Sequence, residues 1–419
     1  MRYSIEEKRS SAMRAGKQKK EGSLSVKDVF ERSLELHKKL KGKMSTELKA
    51  PLETQDDLSL MYSPGVAQPC RAIAENPKSI YDYTWKGNTV AVVTNGTAIL
   101  GLGNLGAEAA LPVMEGKCAL FKRFGGVNAV PVLIDSEDPK EIINIVKAIS
   151  PTYGGINLED IKAPGCIEIE QTLIKECNIP IFHDDQHGTA IITTAAVINA
   201  LKLVHKKPEE CNVVISGVGA AGSSIIRMLQ KLGIANFYGF NSKGILNRKH
   251  ADTYTNPLYR DLAQITNNDG EDLTIEEAMK KADIFIGVSV PNKINKDMVR
   301  SMRRDPIIFA MANPDPEITY EDAREAGARV VGTGRSDYPN QVNNVLAFPG
   351  LFKGALSVHA TVINEEMKMA AAHALANLVP EDKLSEEYVI PGPFEEGVAD
   401  AVAEQVAKIA VEMGVVRED

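Results

Sequence analysis

Short β-branched apolar runs alternate with longer stretches of helical period through the middle of the chain. The segment TVAVVTNGTAILGLG (89–103) holds a β-branched run, an Asn-Gly turn and a second apolar run. VNAVPVLID (127–135) and IPIFHD (179–184) are further strand patterns, and AEAALPVMEGKCALFKRF and residues 138–149 carry helical spacing. From Thr189 a helix is predicted through AIITTAAVINALKLV, followed by the strand NVVISG (212–217), a glycine loop and the helix SSIIRMLQKLG. Strand patterns recur in IANFYGF (234–240), ADIFIGVS (282–289), PIIFAMA (306–312) and ARVVGTG (328–334). This alternation predicts an α/β protein of two domains, an N-terminal α/β domain and a doubly wound, Rossmann-like parallel domain. The expected boundaries are 1–187, 188–345 and a helical C-terminal segment, 346–419, carrying INEEMKMAAAHALANL and FEEGVADAVAEQVAKIAVEMG. Residues 26–43 predict an amphipathic helix closing near Gly42.

A length of 419 residues agrees with two domains, and a net charge of -8 argues against a global attraction to nucleic acid. The five cysteines, Cys70, Cys118, Cys166, Cys177 and Cys211, form no CxxC pair, which fits reduced thiols in a cytoplasmic protein. No uninterrupted apolar run reaches the roughly 18 residues that a membrane span needs. The N-terminal MRYSIEEKRSSAMRAGKQKKEG lacks an apolar signal core; it is basic and contains Ser, but Glu6, Glu7 and Glu21 argue against a transit peptide and for a solvated helix.

GxGxxG occurs twice, at Gly101, Gly103, Gly106 and at Gly217, Gly219, Gly222. Context favours the second as the dinucleotide loop, with Ala220 and Ala221 inside it. It lies directly at a strand end, small residues follow where a helix must approach the sheet, and more strands come after. The first runs into a helix pattern interrupted by Pro112 and Gly116, and both could be mere tight turns. An NAD site commonly has an acidic residue about 20 residues beyond the fingerprint, at the next strand end. Here Asn241, Ser242 and Lys243 stand there. Nothing repels a 2′-phosphate, and Ser242 and Lys243, with Arg248 expected nearby, offer donors, so the reading leans to NADP; the alternative has Asn241 on the ribose of NAD and Lys243 in solvent.

Adjacent acids occur at Glu159–Asp160 and at Asp184–Asp185, each pair beside an apolar run. Such pairs are common on solvated surfaces, but at the ends of α/β elements an all-oxygen set suits Mg²⁺ or Mn²⁺ rather than zinc. His183 and His187 flank the second pair in what reads as a strand-to-helix turn, and are taken as supporting residues. Tyr62 precedes a Ser-Pro-Gly turn and could equally be a packed tyrosine. Lys117 lies in an apolar stretch, where lysines usually snorkel; buried beside a cation it could serve as a base. Asn313 ends a strand pattern, and Asn343 and Asn344 form a second amide pair that could be turn formers.

Taken in order, YSPGVAQPC, NGTAILGLGNLG, MEGKCALF, NLEDIKAP, HDDQHGTA, GVGAAG, MANPDPEI and TGRSDYPNQVNNVLAFPG resemble the motif series of the malic enzymes in their short, bacterial-type form, from about residue 60 to 350. The resemblance implies oxidative decarboxylation of malate to pyruvate and CO₂ with NADP or NAD and with Mn²⁺ or Mg²⁺, and decarboxylation of oxaloacetate besides. It implies Tyr62 as proton donor, Lys117 as base, Glu159, Asp160 and Asp185 as metal ligands, and Asn313 and Asn344 on the substrate and nicotinamide side. The first glycine fingerprint then belongs to the substrate loop, in an N-terminal substrate and metal domain. Long, animal-type members carry an arginine for malate's carboxylate where this chain has Ala98, and Lys162 is the candidate replacement. The acyltransferase-like extension of some bacterial relatives is expected to be absent. A homodimer is implied, without nucleic acid or membrane partners. A malolactic enzyme, an amino-acid dehydrogenase and a dinucleotide sensor without chemistry are the rival readings; the acidic residues argue against the second, and the full set of Tyr62, Lys117 and acids against the third.

Overall fold

The structure, a computed structural model, describes residues 26–99 and 102–417. The expectations for residues 1–22 and for Gly101 lie outside the described residues. The chain divides into a unit ending at Thr46 and a unit from Glu47 to Asp419. In the first, the expected amphipathic helix spans Val26–Leu40, with Phe30 and Leu34 exposed by 68% and 73%.

Two sheets organise the second unit. One has the order β2-β1-β3-β4, formed by β1 (Thr89–Thr94), β2 (Asn128–Leu133), β3 (Gly155–Leu158) and β4 (Ile181–His183). The other has the order β10-β9-β8-β5-β6-β7, from β5 (Asn212–Ser216), β6 (Asn236–Asn241), β7 (Gly244–Ile245), β8 (Ile284–Gly287), β9 (Ile307–Ala310) and β10 (Val330–Thr333). Every pairing is parallel except the β6–β7 hairpin. β1 is buried at all six positions, as a strand covered on both faces must be. Chain order reverses direction between β1 and β3 in the first sheet and between β5 and β8 in the second. Open α/β sheets hold ligands at the carboxyl ends of such strands.

The structure differs from the sequence reading in three places. Among the described residues of the second apolar run of 89–103 there is no strand, because the chain turns after β1: Thr94 Oγ1 accepts the Gly96 N–H at 3.0 Å and Asn95 Nδ2 donates to Ser136 O at 3.0 Å. Ala107–Leu120 is a continuous helix despite Pro112 and Gly116, held by the buried stripe Ala110, Met114, Lys117 and Cys118. The helix expected from Thr189 begins at Asp184 instead, so the residues between His183 and His187 are its first turn, not a loose turn. His183 caps it, Nδ1 accepting the Gln186 N–H at 3.3 Å, and two aspartates in the first turn suit the positive end of the helix dipole.

That helix, Asp184–Val204, is long and apolar enough to cross a membrane, yet 72% of its most apolar window is buried inside the protein. Its apolar run is broken by Thr193, Thr194 and Asn199. The two hydroxyls donate to Thr189 O and Ala190 O, and Asn199 Nδ2 donates to Ala376 O and Val389 O at 2.8 and 3.0 Å. Ile191, Ala195 and Ile198 share one core with Val90 and Val92 of β1 and with Val213 and Ile215 of β5. A second core lies under helices 139–149 and 165–176, and a third on the far side of the second sheet. All five cysteines are free thiols.

Candidate active site

β3 ends at Leu158 and delivers Glu159 and Asp160, 6% and 4% exposed, to the carboxyl edge of the first sheet. Asp160 sits at φ +53°, and its carbonyl accepts the Ala98 N–H at 3.0 Å. β4 ends one residue before Asp184, and the Asp160 N–H donates to Asp185 Oδ2 at 2.8 Å. Lys117, 7% exposed on the Ala107–Leu120 helix, is aimed at this edge. Its Nζ donates to Glu159 Oε1 at 2.8 Å and to Asp184 Oδ2, and lies 4.2 Å from the centre of the Phe348 ring. Phe348 packs in turn against Phe121, ring centres 4.6 Å apart and tilted by 56°, so the lysine is held against the aromatic core. Asn157 Nδ2 supports the other oxygen of Glu159 at 2.8 Å. Gly188 makes room for the cluster: a Cβ there would stand 2.1 Å from Asp184 Oδ1 and 3.0 Å from Asn344 Cβ.

Burial works against a charged Lys117, but the Asp184 and Glu159 carboxylates outweigh it and raise its pKa. Burial also pushes the Asp184 carboxyl up to about 8, with Lys117 pulling it down and Glu159 pushing it up. Glu159 is raised by burial, against Lys117 and with the help of Asp185. Two carboxyl groups thus share one ammonium, with Asp185 close enough to feel its charge. Asp184 Oδ1 and Asn157 Oδ1 are buried without a hydrogen-bond partner among the described residues.

An all-oxygen donor set with more negative charge than one lysine can offset fits a hard divalent cation. Among the described residues no three acidic, histidine or cysteine side chains converge as a preformed cage. An open arrangement suits Mg²⁺ or Mn²⁺, which keep positions for water and substrate oxygens.

At the carboxyl end of β5 the second fingerprint makes a dinucleotide loop. Gly217 has φ +98°, and a Cβ on it would meet Val288 O at 2.5 Å; one on Gly222 would meet Gly217 O at 2.0 Å. Both must be glycine for the loop to close. Gly219 faces open space, and Ala220 and Ala221 begin the Ala220–Lys231 helix, whose free N–H groups suit a pyrophosphate. Beyond it, Asn241 ends β6 and its Oδ1 accepts the Lys243 N–H at 2.7 Å. Ser242 and Lys243 are the exposed turn of the β6–β7 hairpin. The Arg248 guanidinium donates to Gln264 O and Asn268 Oδ1 at 3.4 and 3.3 Å.

The structure joins some of the expected residues and not others. Asn344 Nδ2 donates to Asp184, bringing the segment after β10 to the acidic cluster, whereas Asn343 caps a turn through Val345 N–H. Asn313 is exposed after β9, beside Gly334 at the end of β10. Tyr62 follows the Gln55–Met61 helix, 68% exposed, and makes no hydrogen bond to the cluster among the described residues. Lys162 is exposed, its N–H donating to Thr97 Oγ1 at 3.0 Å, and it lines a cavity of about 680 Å³ with Asn95, Thr97 and Ile161. The sequence reading passed over the Lys117 contact of Asp184, the brace from Asn157 and the space at Gly188. It also passed over Glu170, which accepts from His183 N, Gln186 Nε2 and His187 Nε2 at 2.8, 3.2 and 2.9 Å and so fixes the turn bearing both aspartates. Only Asp184, beside Asp185, carried a signal in the sequence.

A parallel sheet with a glycine loop at its reversal point, next to a second sheet edged by lysine and carboxylates, defines an enzyme of the nicotinamide-dinucleotide-binding α/β class. Residues 186–411 match the family model "Malic enzyme, NAD binding domain" and residues 41–140 match "Malic enzyme, N-terminal domain". A bifunctional malic/malolactic enzyme of Bacillus subtilis is 57% identical over 92% of this chain and 94% of its own. An NAD-dependent malic enzyme of Geobacillus stearothermophilus is 51% identical over 96% and 83%. The crystal structure of a malic enzyme from Pyrococcus horikoshii superposes with a TM-score of 0.89 at 45% identity, covering 93% and 92%. The chain belongs to the malic enzyme family.

Proposed function

We propose that this protein oxidises malate with NADP or NAD, decarboxylates the product to pyruvate and CO₂, and also decarboxylates oxaloacetate. The observation that carries this reading is the buried Lys117 held between Glu159 and Asp184, with Asn344 reaching the same carboxylate from the dinucleotide-binding half. Glu159, Asp160 and Asp185 would hold Mn²⁺ or Mg²⁺, which when bound polarises a substrate carbonyl and offsets the carboxylate charge around the lysine. With that charge offset, Lys117 is no longer held as an ammonium, and its neutral Nζ takes the proton from the C2 hydroxyl as hydride leaves C2 for the nicotinamide. Asp184 and Phe348 keep that nitrogen in place. Tyr62 Oη returns a proton to C3 after CO₂ departs, and Asn313, Asn344 and Lys162 orient the substrate. The domains are read as substrate and metal binding over 1–187 and dinucleotide binding over 188–345, completed by the helices of 346–419.

The test is a spectrophotometric assay with malate, Mn²⁺ and each dinucleotide. Reduction of neither removes the proposal. NADP is the expected preference, because Ser242 and Lys243 form an exposed turn with no carboxylate at the end of β6. Lys243→Ala should then lower kcat/KM for NADP by about tenfold, the scale of one charge-assisted contact, and leave NAD unchanged. An unchanged ratio would assign the ribose to Asn241 and the cofactor to NAD. A malolactic outcome deserves the same assay, since the Bacillus subtilis relative is named for both activities; lactate formed without free NAD(P)H would establish it.

We also infer a cytoplasmic homodimer. Val29, Phe30, Leu34 and Leu36 are exposed on the Val26–Leu40 helix, and Leu48, Leu58 and Leu60 in the following unit, more apolar surface than a lone monomer usually shows. Light scattering at micromolar concentration should give twice the mass of the 45.5 kDa chain, and a monomer would refute the assignment.

A further inference from the structure

Glu317, in the loop after β9, is wholly buried against the carboxyl end of the second sheet, and among the described residues no lysine, arginine or histidine forms an ion pair with it. Its Oε1 accepts the Ser289 N–H at 2.8 Å and the Ser289 hydroxyl at 3.2 Å; its Oε2 accepts the Ala312 N–H at 3.1 Å. Ser289 Oγ lies 2.8 Å from Ser216 Oγ. Because the Ser289 proton goes to the carboxylate, Ser216 is the donor in that contact. Ser216 is the last residue of β5, directly before Gly217 of the dinucleotide loop. Ser289 follows β8, and Ala312 follows β9 and precedes Asn313. One carboxylate therefore ties together the carboxyl ends of three neighbouring strands, across the point where strand order reverses.

The arrangement is costly in two ways. A carboxylate buried among neutral donors loses its hydration without a counter-charge, and an apolar residue would fill the space more cheaply. Position 287 is committed as well: a Cβ on Gly287 would stand 2.3 to 2.6 Å from the Glu317 carboxyl atoms. Two positions thus serve a contact that fixes the relative placement of three loops. Those loops wall the crevice in which a parallel sheet of this order receives a dinucleotide.

We infer that Glu317 is the positioning residue of the dinucleotide crevice, setting through Ser289 and Ser216 the phosphate loop at Gly217 against the Asn313 loop. The inference rests on the dinucleotide reading above. Glutamine keeps the shape of Glu317 but offers one acceptor oxygen where two N–H groups need one each. Glu317→Gln should weaken NAD(P)H binding, read by fluorescence titration, by about 10- to 100-fold, the scale of a lost hydrogen bond to a charged group. KM for the dinucleotide should rise more than KM for malate. Ser289→Ala, which removes only the hydroxyl link, should weaken binding by about 3- to 10-fold with a near-normal melting temperature. If Glu317→Gln lowers the melting temperature yet binds NAD(P)H as the wild type does, the residue is structural only and the inference is overturned. Should Glu317→Gln fail to fold, wild-type affinity in both Ser289→Ala and Ser216→Ala overturns it equally. A wild type that binds neither dinucleotide overturns the underlying reading, and this one with it.

Discussion

Lys117→Ala is expected to lower malate turnover by about 10²- to 10⁴-fold, the contribution of a positioned general base, and to impair hydride transfer and decarboxylation together. The variant should still fold. Removing the ammonium strands Glu159 and Asp184, but burial already raises the pKa of both, so they can take up protons instead of remaining as uncompensated charges. Circular dichroism alongside the assay separates a lost base from a lost fold. Tyr62→Phe supplies the contrast. It should slow only the final protonation, by a similar factor, and leave dinucleotide reduction competent in a single turnover. A Tyr62→Phe enzyme running at the wild-type rate would move the proton donor elsewhere, and a Lys117→Ala enzyme with ordinary turnover would dismiss the base.

Exhaustive chelation should abolish activity, and Mn²⁺ or Mg²⁺ should restore it. The driving force is charge: Glu159 and Asp184 share a single ammonium, Asp185 stands beside them, and burial pushes all three carboxyls above their usual range. A divalent ion relieves that repulsion. Asp185→Ala, at a side chain 40% exposed and hence tolerant of truncation, should lose turnover by about 10²-fold or more while the fold persists. Calorimetry with Mn²⁺ should show the same variant binding the ion more weakly. Full activity after chelation would remove the metal assignment altogether.

The apolar buried strands are plain in the sequence and the one interrupted by a polar residue is not. Runs such as TVAVVT and PIIFAMA are legible because strands buried on both faces are continuously apolar. β3 is not, being four residues with Asn157 in its middle, and yet it delivers Glu159 and Asp160. The early start of the helix at Asp184 was hidden because acids and histidines read as a turn, while their value as a cap and as a first turn depends on backbone N–H groups that pattern does not display. Adjacent acids and a lysine in an apolar stretch were visible as types. Their convergence was not, since Lys117 meets Asp184 across 67 positions and Asn344 meets it across 160. Glu317 left no trace at all: a glutamate after Asn-Pro-Asp-Pro looks like an ordinary solvated turn residue.

The Asp184–Val204 helix packs into the core of both sheets at once, and it carries Asp184 and Asp185 at its tip. Any change in the angle between the sheets that preserves this packing has to pivot about that helix, as a pair of leaves turns about a hinge pin. Points near a pin sweep short arcs, and points at the rim sweep long ones. The carboxylates are therefore at the quiet centre of such a movement, while the outer loops of the crevice do the travelling. Turning about this axis widens the crevice for a bulky dinucleotide and narrows it again while Asp184 and Asp185 stay in place.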